Sequence, residues 1–280
     1  MMQLKQWERE RDRVLVMGIV NVTPDSFYDG GRFFRSKDAI ERGLRMADEG
    51  ADIIDVGGES ARPGARPISV QEEMDRALPV VEGIRRRSPV HISIDTSKAD
   101  VATEAISLGA GIVNDISAFR FDERMAAVTA DAGAFVVLMH MQGSPETMQQ
   151  KPTYSDVVEE IRSFLAERVR AAVDAGIAEE RVFVDPGIGF GKTLDHNVTV
   201  LRNLARLADL GRPVLVGLSH KTFLGAILDV PPDERIEATI AANTAAILNG
   251  ASIIRVHDAK EGRRTADIAA RLRSHVAASH

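Results

Sequence analysis

Eight short apolar runs recur along the 280 residues, and each stops on a polar side chain. Residues 14–20 run into Asn21, 53–54 into Asp55, 91–94 into Asp95, and 111–113 into Asn114 and Asp115. Residues 135–139 stop at His140, 182–184 at Asp185, 214–218 at Ser219, and 252–254 at Arg255. Between most of them the apolar residues change to helical spacing, as in Ile40, Leu44 and Ala47, or Val158, Ile161, Leu165 and Val169. The joins repeat as well. Gly50-Ala51, Gly109-Ala110, Gly133-Ala134 and Gly250-Ala251 each close a helical pattern and open an apolar run. Glycine there supplies the left-handed residue that ends a helix.

Strands that alternate with helices and are apolar on both faces form a parallel sheet. Eight of them in roughly 250 residues predict an α/β fold of the (β/α)8 TIM-barrel type rather than an open doubly wound sheet. Residues 1–280 are expected to form a single domain, with 1–13 as an N-terminal extension and 274–280 as a C-terminal tail. Ser69 with Glu72 three residues on predicts a capping box for the helix carrying Met74, Leu78, Val81 and Ile84. Pro79 inside that helix is expected to shift its start or kink it.

Composition narrows the function classes. A net charge of −6 and a pI near 5.7 argue against a nucleic-acid surface. There is no cysteine, hence no disulfide framework and no thiolate metal site, which suits a reducing cytosol. No apolar run approaches membrane-spanning length, and residues 1–13 lack the apolar core of a signal peptide. The expectation is a cytoplasmic protein that acts on small molecules and binds neither nucleic acid nor membrane.

In barrels of this type the chemistry lies at the C-terminal strand ends, where all eight polar stops fall. A polar strand cap is the plain reading of any one stop, but eight on one rim point to a site. The segment 181–193 is the most informative. Its strand ends at Asp185-Pro186, and Gly187, Gly189 and Gly191 follow in alternation. The P-loop pattern needs glycine where Pro186 stands, and the dinucleotide fingerprint needs a different glycine spacing. Asp95, Asn114 and Asp185 form a set of acceptors suited to a heterocycle edge rich in N–H groups, such as a 2-aminopyrimidinone. A metal shared by Asp95 and Asp185 is the competing reading. Asp115 is the weaker choice beside Asn114 and suits a cap facing the next helix.

Arg62, Lys221, Arg255 and His257 form a second, largely cationic set, and Arg255 and His257 face the same way on an extended strand. With Asn21 they could hold a diphosphate, together with Mg²⁺, which takes oxygen ligands and keeps waters. Two long loops rich in glycine and proline, 23–33 and 57–67, flank the same mouth. Asp25, Phe27, Asp29 and Arg62 on them suit lids that complete a site on closing.

The motifs together resemble one family, dihydropteroate synthase, the sulfonamide-inhibited enzyme of folate biosynthesis. They are Gly-Ile-Val-Asn-Val-Thr-Pro-Asp-Ser-Phe at 18–27, Asp-Ile-Ile-Asp-Val-Gly-Gly-Glu-Ser at 52–60, Ser-Ile-Asp-Thr at 93–96 and Val-Asn-Asp at 113–115. Leu-Met-His-Met at 138–141, Asp-Pro-Gly-Ile-Gly-Phe-Gly-Lys at 185–192, Ser-His-Lys-Thr-Phe-Leu-Gly at 219–225 and Arg-Val-His-Asp at 255–258 complete the set.

The resemblance implies a transferase that joins 6-hydroxymethyl-7,8-dihydropterin diphosphate to p-aminobenzoate, and a homodimer. It implies that Asp95, Asn114, Asp185, Lys221 and Arg255 hold the pterin, with Met139, Phe190 and Gly217 lining its slot. Asn21, Arg62, Arg255 and His257 would hold diphosphate, with Asn21 on Mg²⁺. Phe27, Arg62, Pro63, Phe190, Ser219 and Lys221 would surround p-aminobenzoate, and Asp29, Arg62, Lys221, Arg255 and His257 would act at the reacting centre. The alternatives are a non-catalytic or altered-substrate pterin-binding paralogue, and a methyltetrahydrofolate–corrinoid methyltransferase. Three positions depart from the family's usual pattern: Ala61 in place of threonine, His220 in place of arginine, and Tyr28 in place of a small residue.

Overall fold

The computed structural model describes residues 13–23 and 32–276. Asp25, Phe27, Tyr28 and Asp29 of the first lid loop lie outside the described residues, as does all of the expected N-terminal extension except Arg13. Among the described residues eight strands form a closed parallel barrel in sequence order. They are β1 (Leu15–Asn21), β2 (Ile53–Gly57), β3 (His91–Asp95), β4 (Ile112–Asp115), β5 (Phe135–Met139), β6 (Val182–Asp185), β7 (Val214–Gly217) and β8 (Ala251–Val256). The helices are α1 (Arg32–Asp48), α2 (Val70–Arg87), α3 (Ala99–Ser107), α4 (Met125–Asp131), α5 (Val157–Asp174) and α6 (Leu194–Arg202). The last four are α7 (Ala205–Ala208), α8 (Thr222–Leu228), α9 (Ile236–Leu248) and α10 (Ala259–Val276). Because α10 continues to Val276, the tail expected from residue 274 overlaps its last turn.

The strand period of two separates the barrel's interior from its outer layer. Leu15, Met17, Ile53, Ile112, Phe135, Val137, Phe183, Leu215 and Ile253 fill the interior as one apolar cluster. Their outward-facing neighbours, such as Ile54, Ile92 and Val113 or Val184, Val216 and Ile254, pack beneath the helices. Stepping two residues along the inward face carries the chain from that plug to the rim. Ile53 leads to Asp55 and Gly57, Ile112 to Asn114, Phe183 to Asp185, Leu215 to Gly217, and Ile253 to Arg255. Register then aligns the ends. Asn21 pairs with Gly57, Gly57 with Asp95, Asp95 with Asn114, Met139 with Asp185, and Gly217 with Arg255.

The four glycine joints adopt the predicted conformation, with φ of 100° at Gly50 and 107° at Gly109. Space demands glycine as well. A Cβ on Gly50 would lie 2.8 Å from Cγ of Arg263, and one on Gly109 would lie 2.7 Å from Cδ of Arg85. Those arginines hold the chain just before two strands, since Arg263 donates to the Val14 carbonyl at 3.1 Å and Arg85 to that of Val90 at 3.1 Å.

Helix α2 differs from its sequence expectation. Ser69 caps it by accepting from Glu72 N at 3.2 Å, but the Glu72 carboxylate pairs with Arg76, so half of the capping box forms. Pro79 does not shift the start of the helix, which runs unbroken to Arg87. An internal proline costs about 3 kcal/mol. Val80, Val81 and Ile84 are fully buried, and each such side chain contributes about 1.5–3 kcal/mol, so packing outweighs the break.

Candidate active site

Rim side chains of β2, β3, β4 and β8 meet in one network. Arg255 donates from Nε to Oδ2 of Asp55 at 2.6 Å and from Nη2 to Oδ2 of Asp95 at 2.7 Å. Asn114 donates from Nδ2 to the same Asp55 oxygen at 3.0 Å. Asp55 is fully buried and Asn114 nearly so. Burial raises the pKa of Asp95, the adjacent guanidinium opposes that rise, and the Asp55 carboxylate adds to it. Burial disfavours the Arg255 charge, but Asp55 and Asp95 outweigh it and leave the guanidinium above its ordinary value. The acceptor and cationic sets read from sequence are therefore interlocked rather than separate, because Arg255 belongs to both. Asn21 stands at the end of β1, its Oδ1 3.6 Å from where a Gly57 Cβ would project.

The β5–β6 side is built around the glycine loop. Asp185 accepts from Gly187 N at 2.7 Å, and burial raises its pKa against that bond and the nearby lysines. Lys192 is buried beneath the loop and donates at 3.0 Å to each of three acceptors: the Gly187 carbonyl, the Phe190 carbonyl and His140 Nδ1. His140 can accept only with its lone pair on Nδ1, which suits a ring whose pKa burial and then Lys192 hold down at about 2. Burial also lowers Lys192 itself to about 7. From the opposite side Lys221 donates to the Ile188 carbonyl and stands 4.4 Å from the Phe190 ring centroid. Burial lowers Lys221 to about 8, against the pull of Asp185. Met139 packs with Met141, Met148, Ile116 and Phe190 into an apolar wall beside these groups.

On the β7–β8 side Gly217 leaves bare backbone beside Arg255, the nearest atom to a Cβ there being Arg255 Cβ at 3.9 Å. Ser219 Oγ accepts from His257 N at 3.1 Å and lies 3.0 Å from His257 Nδ1. Burial, then Arg255, hold His257 at about 3, so the ring is neutral near pH 7. His220 takes a left-handed φ of 54° and bridges two loops, with Nδ1 2.9 Å from the Pro232 carbonyl and Nε2 2.7 Å from Asp258 Oδ2.

The second lid loop is described, and it crosses the mouth far enough for Gly64 N to bond the Pro145 carbonyl at 3.0 Å. Both of its ends are tied by Glu59, which accepts from Ile68 N at 2.7 Å and from Lys98 Nζ at 2.8 Å; Lys98 also pairs with the buried Glu73. Arg62 and Pro63 are exposed on this loop beside Arg66 and Arg76, apart from the Arg255 network. Ala61 lines a cavity of about 340 Å³ that opens from Asp95 under the loop.

Thus Asp95, Asn114, Met139, Asp185, Phe190, Gly217, Ser219, Lys221, Arg255 and His257 share one mouth, with Asn21 at its edge; Arg62 and Pro63 stand outside it. Asp115 behaves as a turn cap, accepting from Ser117 N at 2.8 Å and Phe119 N at 2.7 Å. Sequence reasoning set Asp55 and His140 among the eight rim stops without giving them a role, and it missed Lys192. The period of two offered a signal for Asp55, since it shares the inward face of Gly57. Nothing local marks Lys192, whose role depends on how the loop folds back.

A family model described as "Pterin binding enzyme" matches residues 17–257. The chain is 48% identical over 246 residues to dihydropteroate synthase of Escherichia coli strain K12, covering 88% of this chain and 87% of that one. A crystal structure of Yersinia pestis dihydropteroate synthase in complex with a sulfonamide drug superposes with a TM-score of 0.88 at 45% identity, covering 94% of this chain and 95% of that one. The Xanthomonas albilineans enzyme with 4-aminobenzoic acid gives a TM-score of 0.87 at 44% identity, covering 95% of this chain and 94% of that one.

Proposed function

The chain belongs to the dihydropteroate synthase family of pterin-binding enzymes, transferases of folate synthesis, and on that premise we propose how its rim performs the reaction. The substrates are 6-hydroxymethyl-7,8-dihydropterin diphosphate and p-aminobenzoate. The aniline nitrogen forms a bond to the pterin's exocyclic methylene carbon, the carbon–oxygen bond to diphosphate breaks, and the nitrogen loses a proton to solvent. Aniline is neutral near pH 7, so no strong general base is needed.

The observation that carries this reading is the convergence of Asp95, Asn114, Asp185, Lys221 and Arg255 on one mouth. In our assignment Asp95, Asn114 and Asp185 accept from the pterin's N–H edge, Met139 and Phe190 line its faces, and Gly217 leaves it room. Lys221 stands between the ring and the arylamine. Arg255, His257 and Asn21 take the departing diphosphate, and holding charge as it develops is commonly the largest catalytic contribution. Phe27, Pro63, Phe190 and Ser219 surround p-aminobenzoate, the pocket for which sulfonamides would compete. Asp29 and Arg62 join from the lid loops, which for the exposed Arg62 requires the second loop to move inward.

Asn21 fits an Mg²⁺ site of the kind that uses few protein ligands. Its carboxamide oxygen, at the rim end of β1, is the type Mg²⁺ accepts. When bound, the ion would neutralise charge on the diphosphate; Arg255 and His257 orient the same group from β8.

We further propose a homodimer through α8, α9 and α10, and a cytoplasmic single-domain protein. Ile227, Leu228, Ile240, Leu248, Ile268 and Leu272 are exposed on those three helices, Ile268 by 65%. Helix α9 carries apolar residues on all sides, as expected of a helix covered on both faces. Sedimentation of Ile268→Glu as a monomer would support this, and an unchanged sedimentation coefficient would refute it. No helix among the described residues is long and apolar enough to cross a membrane; cell fractionation tests the location.

The activity test is release of diphosphate from the pterin substrate with Mg²⁺ present. Release that depends on p-aminobenzoate supports the reading. Pterin binding without such release would overturn it, as would methyl transfer from methyltetrahydrofolate to free corrinoid.

A further inference from the structure

Asp55 is fully buried beneath the mouth, and it holds two residues assigned to substrate. It lies inside the barrel on β2, in register with Ile19 of β1 and Ser93 of β3. Its Oδ2 accepts from both Arg255 Nε and Asn114 Nδ2, while its Oδ1 is buried and has no hydrogen-bond partner among the described residues. A buried carboxylate with an unmet oxygen costs free energy. Its presence is therefore better explained by what Oδ2 arranges than by stability.

The two partners depend on Asp55 unequally. Arg255 has a second anchor in Asp95, but the Asn114 side chain makes this hydrogen bond and, among the described residues, no other. An asparagine amide is nearly symmetric in shape, and only its partners decide which end is oxygen and which nitrogen. A carboxylate can only accept, so it must face the nitrogen. The Asn114 oxygen is then held at a fixed place as an acceptor, beside the one amide N–H that Asp55 does not engage. Asp95 and Asp185 follow the same pattern, each with one oxygen tied, to Arg255 and to Gly187 N, and the other available.

We infer that Asp55 sets the hydrogen-bond polarity of the pterin pocket: by pinning the Asn114 amide nitrogen it makes Asn114 an acceptor, so that the pocket selects a heterocycle edge bearing donors over an edge of the same shape bearing acceptors. Asp55 is a positioning residue for specificity, and the inference rests on the reading of this mouth as a pterin pocket.

The test is calorimetry with 6-hydroxymethylpterin and its 2-oxo counterpart, 6-hydroxymethyllumazine, in which an acceptor replaces the 2-amino donor. Neither ligand carries diphosphate, so neither turnover nor Mg²⁺ enters. The wild-type chain should prefer the 2-amino ligand. Asp55→Asn still offers an oxygen to both partners and should keep that preference within about threefold, whereas Asp55→Ala frees the amide to turn over and should reduce it by about tenfold or more. If Asp55→Ala fails to fold, Asp55→Ser, whose hydroxyl can donate or accept, is read the same way. Equal weakening of both ligands, with the preference unchanged, would mean a merely structural role and overturn the inference. Loss of the preference in Asp55→Asn as well would assign the effect to charge and also overturn it. Wild-type protein that binds neither ligand would instead refute the pterin reading beneath it.

Discussion

Replacing Gly187 with alanine tests how the glycine loop serves the site. Gly187 has a φ of 65°, a left-handed conformation that costs an alanine about 1–2 kcal/mol. A Cβ there would also fall on the His140 backbone carbonyl oxygen, well inside contact distance. That oxygen is backbone rather than the end of a flexible side chain, and His140 N is itself bonded to the Asp185 carbonyl at 2.9 Å. The loop must therefore lift, and lifting it threatens the Asp185–Gly187 N bond and the Lys192 bond to the Gly187 carbonyl. Hydrogen bonds to charged groups contribute about 1.5–3 kcal/mol each. The total is about 4–8 kcal/mol, a large share of the about 5–15 kcal/mol that holds a typical domain together. Urea unfolding should show a loss of that size, unless the loop detaches locally, in which case pterin binding by calorimetry should fall about a hundredfold or more while the midpoint moves little. Gly64→Ala is the control. It also has positive φ, at 80°, but a Cβ there meets nothing within 4 Å, so only the backbone cost of about 1–2 kcal/mol remains. If Gly187→Ala unfolds and binds pterin like Gly64→Ala, the account of the loop is wrong.

Three other outcomes follow from the same geometry. Asp185→Asn should weaken pterin binding by about 1.5–3 kcal/mol, and an unchanged affinity would remove Asp185 from the acceptor set. Arg255→Ala should lower turnover more than it weakens a pterin lacking diphosphate; equal losses in steady-state kinetics and calorimetry would show that the arginine does not act on the anion. Activity that needs charged Lys221 should fall as pH rises through about 8, and Lys221→Arg should flatten that limb. Its ordinary value is 10.5, so between about pH 8 and 10.5 the unfolded chain binds more protons at this residue than the folded one. The contribution of Lys221 to stability therefore improves with pH over the window in which activity falls. Melts that weaken in step with the activity loss would assign the limb to unfolding instead.

Much of this site was legible in the sequence because a parallel barrel converts a one-dimensional pattern into a place. A polar residue that ends a strand must lie on the rim, and the period of two decides whether it faces inward. That reasoning located Asp95, Asn114, Asp185, Arg255 and His257 without any contact being known. The same rule placed Asp55 among the rim stops, but gave it no role, because its part depends on bonds to Arg255 and Asn114 that only the closed barrel brings together. Lys192 was not legible, because its three acceptors are backbone carbonyls and a ring nitrogen brought together only when the loop closes. Pro79 misled for the opposite reason. Local chemistry spoke for a later start to α2, and the burial of its apolar face overrode it.

The charges at the mouth also explain why the two halves of the substrate need not compete for the same residues. Asp55, Asp95 and Asp185 face Arg255, Lys221 and Lys192, and those cations are already engaged. Arg255 already has its Nε and one Nη engaged below, and Lys221 is engaged with the Ile188 carbonyl. What the mouth lacks is donors. A heterocycle edge with several N–H groups supplies them and favours the charged carboxylates against the burial that raises Asp95 and Asp185. On the proposed assignment, once those oxygens are occupied the remaining guanidinium donors of Arg255 would oppose less negative charge from below and act more strongly on an anion above. On that assignment the ring would thus prepare the clamp for its own leaving group, the order in which a substitution with developing charge on diphosphate would use them.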